Sequence, residues 1–294
     1  RLPLRGGSVM SSVAALTQRA SNSPIGTFLT MLILYSGLVA LALYAVFGAD
    51  FPTLAPVPYA WAPMISAGVT VWLCDESVRD WLGQLRNLRA GLHWYLGGIG
   101  IMMVGTEFET IVAVVLGGDV TVPAAPLRSY VITFGVTLFL AGALEELGWR
   151  GFLQPRLQQR FSAVAASMCI GFVWGLWHIP MILASAGDFT VFWEYMLNVV
   201  VQSVILGWLY NNTKGALPVV MVTHASHNMP PIGTPTTTAL PVFDLLSGDA
   251  IFYVCCALLI TLYAGTQTLT RDRTLPDIPG RIGGHRPSSE RSAD

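Results

Sequence analysis

The chain has 294 residues, of which 53% are hydrophobic and only 11% are charged. Soluble domains carry roughly 25% charged residues, so the composition excludes an ordinary soluble protein. The net charge of −1 gives no basis for nucleic-acid binding. The cysteines form no CxxC pair and lie in or beside apolar stretches. We interpret them as small buried apolar residues, neither a disulfide framework nor a metal site. They are Cys74, Cys169, Cys255 and Cys256.

Long apolar segments run through most of the chain. A helix needs about 20 apolar residues to cross the hydrocarbon core, and eight segments meet or approach this length. They predict an all-α, polytopic membrane helix bundle with about eight transmembrane helices. In chain order the predicted spans are approximately 26–48, 58–74, 94–117, 128–149, 163–184, 191–210, 215–229 and 250–269. The stretch 229–241 is rich in Pro, Thr and Gly, and we expect a loop or re-entrant piece packed on protein.

The basic residues predict the orientation of this bundle. Of the 16 basic residues, all except Arg128 fall on one side of an eight-span chain. Positively charged short loops stay in the cytoplasm, so we expect both the N-terminus and the C-terminus there. This predicts a cytoplasmic N-terminal segment at 1–25, an eight-span domain at 26–270 and a disordered cytoplasmic tail at 271–294. Because more apolar segments follow the first one, we expect a first span and not a cleaved signal peptide.

Two adjacent carboxylates and an arginine lie near the end of the fourth predicted span. Ionisable residues inside a bundle are costly, so each is a candidate functional residue. Glu146 and Arg150 are four residues apart on one helix face and can pair. Glu145 is rotated by about 100° and reaches that arginine less easily, which leaves it available as a general base. The alternative is a structural Glu–Arg pair that snorkels at the membrane boundary.

Imidazole and amide groups occur in the fifth and seventh predicted spans. His178 lies among aromatic residues just before a proline, where it is either a site residue or a buried histidine bonded to a carbonyl group. His224 and Asn228 are four residues apart and share a helix face, and His227 can also approach His224. An imidazole and an amide side by side can hold a developing oxyanion. The alternative is hydrogen bonding between helices.

Two further carboxylates, Glu107 and Glu109, lie in the third predicted span. They are two residues apart and so face apart on a helix. Neither has a cationic partner nearby in the sequence, and we favour a structural role for both.

The three polar groups resemble the membrane-embedded motifs of the CPBP intramembrane proteases, also called the CAAX protease and bacteriocin-processing family. The EExxxR motif corresponds to Glu145, Glu146 and Arg150. The FxxxH motif corresponds to the segment from Trp174 to His178, with Trp in place of Phe, and the HxxxN motif corresponds to His224 and Asn228. The resemblance covers the motif core, about 140–230, and the eight-helix architecture of the whole chain.

The resemblance implies an endopeptidase that cuts membrane-associated peptides or proteins, of CAAX or bacteriocin type, within or at the membrane. It implies that Glu145 and His178 activate water, that His224 and Asn228 hold the oxyanion, and that Glu146 and Arg150 support them. We favour a reaction without a metal. The alternative is zinc held by Glu145, His178 and His224, as in a metalloendopeptidase. We expect a multi-pass protein of a bacterial inner or plasma membrane. The oligomeric state is not predictable from the sequence.

Two other functions fit part of the pattern. The carboxylates and histidines could form the relay of a proton-coupled transporter, but no inverted repeat is visible. A catalytically silent immunity or scaffold protein could keep the fold, although it need not keep every motif. The predicted spans also leave one conflict, because Glu145 lies near the cytoplasmic end of its span while His178 lies deeper. A common site therefore requires tilted helices or a fourth span that enters deeper than these boundaries suggest.

Overall fold

The structure is a computed structural model that describes residues 7–48, 50–183, 192–237 and 240–281, with side chains from residue 15 onward. Almost all regular structure in these ranges is helical. The α-helices are α1 Gly7–Asn22, α2 Pro24–Phe47, α3 Val57–Ala60, α4 Ala62–Leu73, α5 Val78–Gly83, α6 Leu92–Thr106, α7 Phe108–Val115, α8 Leu127–Phe139, α9 Glu146–Gly148, α10 Gln154–Leu157, α11 Ala163–Trp177, α12 Ile179–Leu183, α13 Phe192–Asn212, α14 Leu217–His227 and α15 Gly248–Ala264.

The prediction of an all-α, polytopic membrane helix bundle is confirmed. In the described ranges, four helical stretches are long and apolar enough to cross a membrane. The α6–α7 pair, which bends by 64°, would make a fifth span. The helices α4 and α15 are apolar but shorter, and α14 matches the short seventh predicted span. The count of eight and the cytoplasmic placement of both termini stay predictions.

The fourth span differs from its predicted bounds of 128–149, because the helical stretch continues to Leu157. Its backbone is not a regular α-helix. A 3₁₀ turn at Gly142–Glu145 follows α8, and a π-turn at Trp149–Leu153 separates α9 from α10. Such π-turns are frequent at functional sites. The extension places Glu145 within the span and not near its end, which removes the conflict in depth with His178.

Two arginines that supported the predicted orientation are not loop charges. Arg150 has no exposed surface, and Arg156 is 5% exposed. Arg150 pairs with Glu146, and Arg156 pairs with Glu76 near the end of α4. Both side chains are therefore buried, and the charge of Arg150 is neutralised inside the bundle.

The core of the bundle is the packing of α11 against α13. Gly171 lies at this crossing, where an added Cβ would come within 2.6 Å of Val200 Cα and 2.9 Å of Ser203 Cβ. Small residues allow such close backbone approach between membrane helices. The same packing leaves apolar side chains on the outward faces, and Cys169 and Cys255 are exposed there, contrary to the prediction that they are buried.

The two carboxylates of the third predicted span bind backbone amides. Glu107 accepts hydrogen bonds from the amides of Ile232 and Gly233, the latter at 3.2 Å. Glu109 accepts one from the amide of Gly248 at the start of α15, at 2.7 Å. These contacts agree with the structural role favoured for both. They also hold the segment after α14 on the protein, where strands β1 Val120–Thr121 and β2 Thr234–Pro235 pair.

The chain after α15 returns along the bundle. The carbonyl groups of Thr266 and Gln267 accept hydrogen bonds from the amides of Val164 and Ala163, at 3.2 and 2.8 Å. Near the end, the carbonyl group of Gly280 accepts one from the amide of Ser77 at 2.7 Å. Residues 271–281, predicted as the start of a disordered tail, thus lie against the bundle. Residues 282–294 lie outside the described residues.

Candidate active site

The three polar motifs meet at one cavity of about 460 Å³. Its walls come from the 3₁₀ turn before α9 and from α11, α13, α14 and the start of α15. All four residues expected to carry chemistry line it, namely Glu145, His178, His224 and Asn228. The two supporting residues, Glu146 and Arg150, lie behind this wall without exposed surface.

Glu145 presents its carboxylate to the cavity at the end of the 3₁₀ turn. The side chain is 4% exposed, and its Oε2 atom accepts hydrogen bonds from two indole N–H groups. The Trp174 donor is at 2.8 Å and the Trp149 donor is at 3.3 Å. That Trp174 donates to Glu145 could not be predicted from the sequence, because the two residues lie on different helices.

The neighbouring carboxylate, Glu146, has cationic and imidazole partners. Both of its oxygens accept from Arg150 NH1 at 2.9 Å, which confirms the predicted pair. Its Oε1 atom also lies 2.7 Å from Nδ1 of His224. Arg150 donates in addition to the hydroxyl of Ser203 at 2.9 Å, and its guanidinium carbon lies 5.2 Å from the Trp174 ring centroid. The pair is therefore built into the bundle and does not snorkel.

His178 follows the last residue of α11 and is half-buried. Its Nδ1 atom lies 2.9 Å from the backbone carbonyl oxygen of Trp174. A protonated Nδ1 satisfies this contact, which assigns the tautomer by its hydrogen bond and leaves a lone pair on Nε2. The alternative predicted from the sequence, a histidine bonded to a carbonyl group, is thus correct for Nδ1 of this ring. The ring centroid of Tyr195, on α13, lies 5.9 Å away.

His224 and Asn228 approach the backbone of Gly142 from α14. A Cβ atom added to Gly142 would lie 2.8 Å from His224 Nε2 and 3.1 Å from Asn228 Nδ2. Both groups therefore point to the same small volume beside the 3₁₀ turn, as expected for two donors that act together. Asn228 follows the last residue of α14 and is exposed to the cavity, whereas His224 is 4% exposed.

His227 has its hydrogen-bonding contacts on two other helices. Its Nε2 atom lies 3.2 Å from the Gln202 amide nitrogen, and its Nδ1 atom lies 3.4 Å from the Tyr253 hydroxyl. The ring thus contacts α13 and α15, and the sequence alternative of hydrogen bonding between helices describes it better than a role beside His224. Its ring nonetheless lines the cavity.

The outer part of the cavity carries polar groups that sequence spacing did not single out. Glu194 accepts a hydrogen bond from the amide of Ser247 at 2.6 Å, and Asn198 donates to Asp249 at 3.3 Å. They join α13 to the start of α15. No pattern along the chain relates these helices, so only their packing reveals the cluster.

The residues present do not fit a zinc site. In the ranges that the structure describes, no three histidine, cysteine, aspartate or glutamate side chains form a group that could hold a metal ion. This applies to the set Glu145, His178 and His224. Nδ1 of His224 faces Glu146, and Glu145 Oε2 accepts from two indoles.

Comparison with known proteins points to the same part of the chain. The family model described as "Type II CAAX prenyl endopeptidase Rce1-like" matches residues 127–230. The "CAAX prenyl protease 2" of Methanococcus maripaludis is 30% identical over 100 residues, which cover 31% of this chain and 37% of the relative. The match thus spans little more than a third of that relative. The region that the family model matches contains all three motifs of the cavity, and this part of the chain is similar to type II CAAX prenyl endopeptidases of the Rce1-like family.

Proposed function

We propose that the protein is an intramembrane endopeptidase that hydrolyses a peptide bond of a membrane-associated substrate. The observation that carries this proposal is the convergence of Glu145, His178, His224 and Asn228 on one cavity. The matched family and relative are described as endopeptidase and protease. Peptide hydrolysis needs a deprotonated water, a proton for the leaving amine and a place for negative charge, and these four groups can supply all three.

Water activation is assigned to Glu145 and His178. A water molecule between them gives a proton to the Glu145 carboxylate, and its oxygen attacks the carbonyl carbon of the scissile bond. His178, which lines the same cavity, orients this water. When the C–N bond breaks, the proton taken by Glu145 passes to the leaving amine, so that the carboxylate is regenerated.

The oxyanion is assigned to His224 and Asn228, which face the space beside Gly142. Asn228 donates from its amide. His224 donates from Nε2 while its Nδ1 donates to Glu146, so the ring carries two protons in this role. The negative charge of Glu146 offsets the positive charge of the imidazolium, and Arg150 adds a second positive charge to this cluster. Donors placed in advance stabilise a developing negative charge without having to reorganise.

The substrate is proposed as a peptide that reaches the cavity from the membrane, because the cavity is built between apolar helices. The relative's name refers to a prenylated CAAX protein, and a bacteriocin-like membrane peptide is the second substrate type that the family resemblance implies. Both supply an extended segment beside a membrane-anchored part. The proposed reaction is the same for both.

The test is cleavage of two reporters by the purified full chain, one with a prenylated CAAX end and one a membrane peptide. Glu145→Gln and His178→Ala should each lower kcat by at least about 100-fold, the range of general acid–base catalysis. The controls are Glu109→Gln, which keeps an oxygen to accept from Gly248, and His93→Ala at an exposed position. Both should retain activity. Full activity of Glu145→Gln would overturn the assignment of the base. Absence of cleavage by the unmodified chain would favour a silent scaffold or a transporter.

A further inference from the structure

A second cavity, of about 550 Å³, lies away from the proposed active site. Its walls come from the end of α1, the start of α2, the end of α4, the segment after α10 and the C-terminal segment. Since α2 is long and apolar enough to cross a membrane and begins at Pro24, this cavity lies at the end of a candidate span, where lipid headgroups border the hydrocarbon core. It shares no lining residue with the cavity of Glu145.

The charge of this second cavity is positive. Three arginines line it, Arg156, Arg160 and Arg281, against two carboxylates, Asp75 and Glu76. Arg156 is the buried member, and it donates to Glu76 and to the carbonyl group of Phe152. In the part of the chain that the structure describes, neither Arg160 nor Arg281 forms an ion pair. Both are exposed, so their guanidinium groups are available to a ligand.

The N-terminus of α2 lines the same cavity. Ser23 precedes the helix but forms no side-chain cap, and residues 21–25 line the cavity. The first amides of a helix have no partner within the helix, and its dipole is positive at this end. A phosphate group is the ligand that such an end binds well. The arginines supply the geometry for charged, forked hydrogen bonds to its oxygens.

From this combination we infer that the second cavity binds the phosphate group of an anionic phospholipid. The reasons are its place at the end of a candidate span, two exposed arginines that form no ion pair within the described residues, and an uncapped helix end. Basic pockets at the membrane surface bind anionic headgroups by the same chemistry. The lipid would bridge α2 and the C-terminal segment, since Arg281 comes from the latter.

The test uses the purified full chain in detergent micelles, titrated with fluorescent phosphatidylglycerol, with phosphatidylcholine or with inorganic phosphate. The double variant Arg160→Gln and Arg281→Gln removes two exposed charges from the cavity. The matched control, Arg86→Gln with Arg89→Gln, removes two exposed charges elsewhere. Phosphatidylglycerol should bind the unmodified chain and the control, and affinity should fall about thirtyfold in the cavity variant.

Equal loss of affinity in the control and in the cavity variant would overturn the proposal, since binding would then follow net charge alone. Equal binding of phosphatidylcholine and phosphatidylglycerol would overturn it as well. If inorganic phosphate bound in an arginine-dependent manner while phosphatidylglycerol did not, the proposal that the ligand is a phospholipid would be overturned. The arginines lie outside the active-site cavity. Measuring peptide cleavage by the variant with Arg160→Gln and Arg281→Gln therefore tests the proposed function separately from lipid binding. That activity should persist.

Discussion

The Nδ1 atom of His224 lies 2.7 Å from the same carboxylate oxygen of Glu146 that accepts a hydrogen bond from Arg150. One oxygen thus joins the EExxxR motif to the HxxxN motif across two spans. This arrangement gives the two adjacent glutamates different partners. Glu146 is surrounded by an arginine and an imidazole, and Glu145 is left with two indole donors and the cavity.

Glu146→Gln should damage both stability and activity. The change leaves the buried guanidinium of Arg150 without its carboxylate, and breaking a buried pair costs about 3–5 kcal/mol. It also removes the negative charge beside His224. We expect a lower thermal unfolding temperature in detergent and loss of reporter cleavage. Glu145→Gln should lose cleavage but unfold at nearly the original temperature. Full activity of Glu146→Gln together with loss in Glu145→Gln would limit Glu146 to a role in folding.

Trp174→Phe tests the donor to Glu145 while keeping an aromatic ring. Trp174 connects two proposed catalytic groups, because its indole donates to Glu145 and its carbonyl group contacts His178. The substitution removes only the first contact. We expect kcat to fall by about tenfold, the value of one hydrogen bond to a charged group, with a smaller change in KM. Steady-state kinetics measure both, and an unchanged kcat would show that the indole only fills space.

Gly142→Ala should block the space assigned to the oxyanion. The added methyl group would lie 2.8 Å from His224 Nε2 and 3.1 Å from Asn228 Nδ2. Loss of oxyanion donors costs about 10²–10³ in kcat, and we expect a loss of at least that size. Gly135→Ala is the matched control, because nothing lies within 4 Å of a Cβ at that position of α8. Equal activity of the two variants would place the oxyanion elsewhere.

Cleavage should not depend on zinc. The side chains of Glu145, His178 and His224 do not form a metal-binding group in the described structure, and the proposed reaction uses no metal. We expect a strong chelator to leave the rate unchanged after prolonged incubation. A rate that falls with chelator and returns with added zinc would contradict the proposed reaction and restore the metal alternative.

The sequence predicts the helical class and the pairing of Glu146 with Arg150, because both follow from periodicity within one segment. It does not predict the course of the fourth span. Hydropathy does not detect the 3₁₀ and π-turns through which the helical stretch continues to Leu157. The predicted span of 128–149 therefore places Glu145 too close to its end. The contacts of Glu145 with Trp174 and of Glu146 with His224 join separate helices. Their spacing along the chain carries no information about such contacts.

The charges illustrate a second limit. Arginines near an apolar segment count as cytoplasmic in the orientation rule, and Arg150 was counted in this way. It is completely buried, with Glu146 and Ser203 as partners. A buried arginine and a loop arginine look alike in the sequence when both lie near the end of an apolar run.

The return of the chain after α15 has a consequence for biosynthesis. The first two amides of α11 are bound by the carbonyl groups of Thr266 and Gln267, and α11 carries Trp174 and leads directly to His178. Ribosomes make the chain from the N-terminus, so this helix acquires these partners only after the segment that follows α15 has been synthesised. The start of the helix that presents Trp174 and leads to His178 is therefore completed only after the last described helix, α15, has been made.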